Sequence, residues 1–79
     1  MSVSVFPNPS NGKYTIETTQ PARVSVIYYT GSTVIPERPV SENRCSLDLS
    51  GLPTGVYIAK FSNNNGVVYK KLVKISGSN

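Results

Sequence analysis

"LPTGVYIAKF", Leu52 to Phe61, decides the fold. A Leu-Pro-Thr-Gly approach leads straight into a segment with strand chemistry. Tyr57, Ala59 and Phe61 share one face by period-2 alternation, while Val56 and Ile58 make the other face apolar too. That reads as a central strand covered on both sides. Tyr57 stands at its start and points inward. A buried phenol needs a hydrogen-bond partner, and the turning backbone at Pro53 to Gly55 offers one. This is the pattern of the tyrosine corner in Greek-key sandwiches, where the hydroxyl bonds to backbone a few residues upstream.

Working outward, the rest of the chain carries the same period. "SVSVF" sets Val3 and Val5 inward and Ser2 and Ser4 outward. "KYTIET" sets Tyr14 and Ile16 against Lys13, Thr15 and Glu17. "ARVSVIYY" groups Val24, Val26 and Tyr28. "STVI" reads as a short strand cut off by Pro36, and "PERPVSEN", Pro36 to Asn43, as a longer loop. "CSLDLS" alternates Cys45, Leu47 and Leu49, and "GVVYKKLVKIS" is the last and longest strand. No segment has apolar residues at helical spacing. Between the strands, "TGS" offers Gly31 for positive φ. "NNNG" ends in Asn-Gly, the favoured pair of a two-residue hairpin. About seven strands at near-regular spacing predict an all-β sandwich or small barrel with no helix beyond a turn or two.

"VFPNPSNGKYTIE", Val5 to Glu17, is a corner. Pro7 and Pro9 have no N–H, so the first strand cannot continue pairing. The residues before them, Phe6 and Asn8, are pushed toward extended backbone. Ser10, Asn11 and Gly12 then reverse the chain into a second strand at Lys13. Geometry alone explains these residues.

Composition bounds the chemistry. A chain of 79 residues is one domain with a thin core. It contains no histidine and a single cysteine, Cys45. That excludes an internal disulfide, a multi-cysteine metal site and the commonest general base. Cys45 reads as a small buried hydrophobe. No nucleophile–base pair can be assembled from the usual parts, so the chain is not read as an enzyme, and no metal or cofactor is expected. There is no apolar run of about 18 residues to span a membrane and no secretory leader. The chain therefore reads as part of a longer protein. The net charge is +4, which reads first as a solvated surface and alternatively as attraction to an anionic surface or acidic partner, with Lys60, Lys70, Lys71 and Lys74 gathered late.

In order, "VFPNPSNGKYTI", Gly31 after "VSVIYYT", "LDLSGLPTGVYIAKF" and the lysine-bearing "YKKLVKI" resemble the C-terminal sorting domain of the type IX (Por) secretion system. The resemblance runs from Val5 to Ile75. It implies an immunoglobulin-like sandwich at the end of a larger secreted cargo protein. Cargo would enter the periplasm by an ordinary export signal and be directed by this domain through an outer-membrane translocon. A sortase would then remove the domain at the cell surface. Members of the family usually end just after the last lysine-rich strand, whereas here Ser76 to Asn79 follow. Pro7, Asn8, Pro9, Gly12, Gly31, Leu52, Gly55 and Tyr57 carry the structural motif.

The expected recognition feature is the final strand, with Lys70, Lys71 and Lys74 flanking Leu72 and Val73. A terminal strand can present an edge for strand addition, and such an edge also leaves room for homo-oligomer pairing. Alternatively, these lysines only guard the edge against aggregation. A rival function is a carbohydrate-binding or adhesive module, supported by five tyrosines but lacking any tryptophan. A nucleic-acid-binding barrel is disfavoured. Stacking needs exposed aromatics beside basic residues, and Tyr14, Tyr28 and Tyr57 are placed inward, leaving only Tyr29 and Tyr69.

Overall fold

The computed structural model describes residues 2–40 and 43–75. Seven strands follow one another: β1 (Val3–Phe6), β2 (Lys13–Thr18), β3 (Ala22–Tyr28), β4 (Thr33–Val40), β5 (Asn43–Asp48), β6 (Gly55–Asn63) and β7 (Gly66–Lys74). They form two antiparallel sheets, ordered β1-β2-β5 and β4-β3-β6-β7. The described residues contain no helix, as the missing helical periodicity predicts. Ser76 to Asn79 lie outside the described residues.

Period-2 alternation builds the sandwich. Tyr14 and Ile16 of β2 and Leu47 of β5 come from one sheet. Val24 and Val26 of β3, Tyr57, Ala59 and Phe61 of β6 and Leu72 of β7 come from the other, and all join one buried cluster. Register places partners of matching polarity opposite each other: Tyr14 with Leu47, Val24 with Phe61, Val26 with Ala59, Tyr57 with Leu72. Such cross-strand pairs are the unit of sheet stabilisation. Cys45 is half-buried, packed against this cluster as a small hydrophobe. Only one face of β6 is fully covered. Val56 and Ile58 are half-buried on the outer face, where Ile58 lies between Ile27 and Lys71.

The tyrosine corner forms as expected. Tyr57 is fully buried, and its hydroxyl donates to the Pro53 carbonyl four residues upstream. Its ring packs against Tyr28 at a centroid distance of 4.9 Å. At Gly55, φ is +145° and a Cβ would lie 2.9 Å from the Tyr28 hydroxyl, so glycine lets the tyrosine pair close over the turn. We expect Tyr57→Phe to cost about 1–3 kcal/mol, because the Pro53 carbonyl loses its donor while the ring still fills its site. An unchanged denaturant midpoint would show that the hydroxyl contributes nothing.

Two local expectations are corrected. The segment read as a short strand and then a loop, from Thr33 through Pro36 and Pro39, is a continuous strand, β4. β4 is the edge of its sheet, where one row of N–H groups faces away from the ladder and proline is tolerated. Its register against β3 slips twice. Val24 pairs with Arg38 but Val26 with Ile35, so an extra β4 residue is absorbed beside Pro36. The second correction is the last hairpin. Asn63 pairs with Gly66, so the two loop residues are Asn64 and Asn65 rather than Asn65 and Gly66. Side chains fix this choice. The Asn65 N–H donates to the Asn63 side chain, and Asn63 and Asn65 both donate to Gln20.

Candidate functional site

β7 is the outer strand of the four-stranded sheet. Its hairpin pairing with β6 directs the backbone of Gly66, Val68, Lys70, Leu72 and Lys74 inward to the ladder. The backbone of Val67, Tyr69, Lys71 and Val73 faces the edge.

The Pro7–Gly12 corner closes half of that edge. β1 ends at Phe6, and the Phe6–Pro7 and Asn8–Pro9 peptide bonds are cis. The chain then crosses from the three-stranded sheet to β7. Between two residues that cannot donate, the Asn8 side-chain amide takes the place of a neighbouring strand. Its Nδ2 donates to the Lys71 carbonyl at 2.7 Å, and its Oδ1 accepts from the Val73 N–H at 2.9 Å. Ser10 continues the pairing as a parallel bridge opposite Lys74. Its N–H donates to the Val73 carbonyl at 3.0 Å, and its carbonyl accepts from the Ile75 N–H at 2.9 Å.

The corner is itself braced. The Ser10 hydroxyl donates to the Lys13 carbonyl and accepts from the Gly12 N–H, while the Leu49 N–H donates to the Gly12 carbonyl. Tyr14, reaching across from β2, donates its hydroxyl to the Val73 carbonyl at 2.8 Å. That carbonyl therefore holds two donors, one from each side of the sheet switch.

This geometry sorts the residues expected to form the recognition feature. Lys71 is exposed on the outer face, and Lys70 is half-buried on the inner face. Leu72 is fully buried in the core. Val73 is half-buried, and its backbone is committed to Asn8, Ser10 and Tyr14. Lys74, expected with Lys70 and Lys71 to form the recognition feature, is only 7% exposed. It sits between Gly55 of β6 and Ser10 of the corner, a position that local sequence does not reveal. The motif residues divide as well. Pro7, Asn8, Pro9 and Gly12 make the clamp, and Leu52, Gly55 and Tyr57 make the tyrosine corner. Gly31, at φ +100°, closes the connection in which the Tyr28 N–H donates to Ser32. Sequence reasoning reads Asn8 only through its backbone, extended before a proline, and misses its side chain's role. The available signal is an amide side chain held extended between two prolines.

Burial pushes the Tyr14 and Tyr57 phenols above their ordinary range, and neighbouring tyrosines add to it. A raised folded-state value means the native state holds the proton longer than the unfolded chain. That stabilisation is complete below about pH 10 and is lost as pH rises through the folded values. We expect stability to be flat in neutral solution and to fall in alkali, with Tyr14 and Tyr57 holding their protons beyond a free phenol's range while the fold persists. Phenolate absorbance followed against circular dichroism checks this. Ionisation of all the tyrosines within a free phenol's range, with the fold intact, would contradict it.

Among the described residues, no group of three or more His, Cys, Asp or Glu side chains could hold a metal, and no helix is long and apolar enough to cross a membrane. A family model described as a secretion system C-terminal sorting domain matches residues 4–75. The span runs from within β1 past the end of β7, so it takes in both the corner and the strand it clamps. No curated protein matches the chain. The family is a sorting signal and not an enzyme family. With nearly the whole sandwich matched, the chain belongs to the C-terminal sorting domains of the type IX secretion system.

Proposed function

We infer that this domain is the terminal unit of a larger cargo protein and directs it from the periplasm through the outer-membrane translocon, after which a sortase removes it. The observation that carries the reading is the family match across residues 4–75. The residues suit a sorting label, with an inert, satisfied body and one edge strand bearing lysines. Within β7, recognition centres on Lys71 and Lys70, whose side chains solvent can reach. Leu72, Val73 and Lys74 hold the strand in place beneath them.

The test is a fusion. The domain is joined to the C-terminus of a reporter carrying an ordinary export signal, in a bacterium with the type IX machinery. The reporter should reach the surface or medium, and the same reporter without the domain should stay in the periplasm. Retention of the fusion, while another sorting domain exports the same reporter, would overturn the reading. Glycan binding on an array would then favour the adhesive module. Replacing Lys70 and Lys71 with Gln should leave folding within about 0.5 kcal/mol per site and stall the folded reporter. Undiminished export would reduce these lysines to edge protection and move recognition to the Pro7–Gly12 corner.

A further inference from the structure

The clamp covers only half of β7. Asn8 and Ser10 occupy the edge from the Lys71 carbonyl to Ile75. The N–H and C=O groups of Val67 and Tyr69 and the N–H of Lys71 face outward with no partner among the described residues. The side chains there are also uncovered, with Val67 50% and Tyr69 64% exposed. Large exposed apolar groups beside open backbone are what native edges avoid.

The other edges are managed. β4 carries Pro36 and Pro39 and is bulged. β1 is four residues long and ends in the proline corner. At β5, the Arg38 guanidinium donates to the Ser46 carbonyl. The open half of β7 stands apart, and its charge is one-sided. Lys60 lies opposite Tyr69 in the register, and Lys70 and Lys71 follow it. None of these lysines is in an ion pair among the described residues. The paired acids lie elsewhere, Glu17 with Arg44 and Glu37 with Arg23.

We propose that the Val67–Lys71 edge accepts an extended segment of a partner protein as an added strand, with apolar residues beside Val67 and Tyr69 and acidic residues beside Lys70 and Lys71. Main-chain bonds to the open groups supply affinity, and the alternating side chains supply specificity. Charge complementarity selects this occupant. A second copy would bring the lysines of two chains, each of net charge +4, to one seam. The proposal rests on the sorting reading only for placing the partner in the secretion machinery.

The probes are two blocked heptapeptides, Thr-Glu-Glu-Val-Thr-Val-Thr and its reverse, which cover antiparallel and parallel addition, plus versions with Lys for Glu. Amide NMR of the intact chain should show shifts and slowed exchange at Val67, Tyr69 and Lys71 with one acidic peptide. The Lys version should bind about fivefold more weakly, as two surface charge pairs would give. Tyr69→Pro removes an outward N–H that the ladder does not use, so the variant should fold and lose the protection. Tyr69→Thr keeps the N–H and should retain it. Lys70→Glu with Lys71→Glu should reverse the peptide preference, which tests the proposal even if the proline variant fails to fold.

No response to either acidic peptide at millimolar concentration, equal binding of the Lys versions, or a dimer protecting the same amides would overturn the proposal. In the fusion assay, Tyr69→Pro should stall while the parent is exported. Export of a folded Tyr69→Pro fusion would overturn the edge's role and leave the sorting reading standing. Retention of the parent would overturn the sorting reading, while the peptide measurement still decides whether the edge accepts a strand.

Discussion

Gly12→Ala should leave little folded protein at room temperature. Gly12 has φ +126°, and a Cβ there would lie 2.7 Å from Ser50 Cα and 2.8 Å from Ser50 N. Both contacts are backbone, so no side chain can swing aside. The Gly12 carbonyl also accepts the Leu49 N–H, so the two segments cannot separate without losing that bond. A strained φ costs on the order of 1–3 kcal/mol, and overpacking adds about the same. The sum, roughly 2–6 kcal/mol, matches the whole stability of about 5 kcal/mol that a domain of this size commands. Gly31→Ala is the control. Gly31 has φ +100° but open space around it, so only the conformational part applies. Urea unfolding of the two variants separates strain from collision. Equal losses would mean that the Ser50 backbone yields, and that the corner is less rigid than its hydrogen bonds make it.

What is legible in the sequence is what is local. The alternation of Tyr57, Ala59 and Phe61 has a period of its own, and Leu-Pro-Thr-Gly-Val-Tyr carries a corner within six residues, so fold class and corner are both readable. β4 escapes such a reading because the cost of a proline depends on whether its missing N–H faces a neighbour. Pro36 carries no record of being on an edge. The hairpin is misplaced by one residue because "NNNG" offers two overlapping turn pairs. The choice between them is made by Gln20, across 43 residues of chain from Asn63. The same limit applies to the site. Lysines read as exposed are usually so, yet Lys74 is buried by a segment that begins the chain. The clamp that defines which part of β7 is open depends on Asn8 meeting Val73 at a separation of 65 residues. Contacts of that range are set by topology, and the corner's prolines announce only where a strand must stop.

Leu72→Ala should separate a folded recognition strand from a lysine-rich tag. Leu72 is fully buried and lies opposite Tyr57 in the register. It pins the middle of β7 to the core between Lys71 and Lys74, while Asn8 and Ser10 pin its end. Truncating a buried leucine costs about 2–5 kcal/mol, according to how far the cavity collapses. Two packed sheets limit that collapse, so the loss should lie near the middle of the range, with denaturation midpoints shifted well below the parent's. All four late lysines remain in sequence. If the machinery reads the edge of a folded strand, export of the fusion should fall in step with the folded fraction, and recover at a lower temperature where that fraction is restored. Were export of the Leu72→Ala fusion to match the parent's under conditions where the domain is mostly unfolded, the signal would be the linear run from Tyr69 to Ile75. The sandwich would then serve only to keep that run from aggregating before it is read.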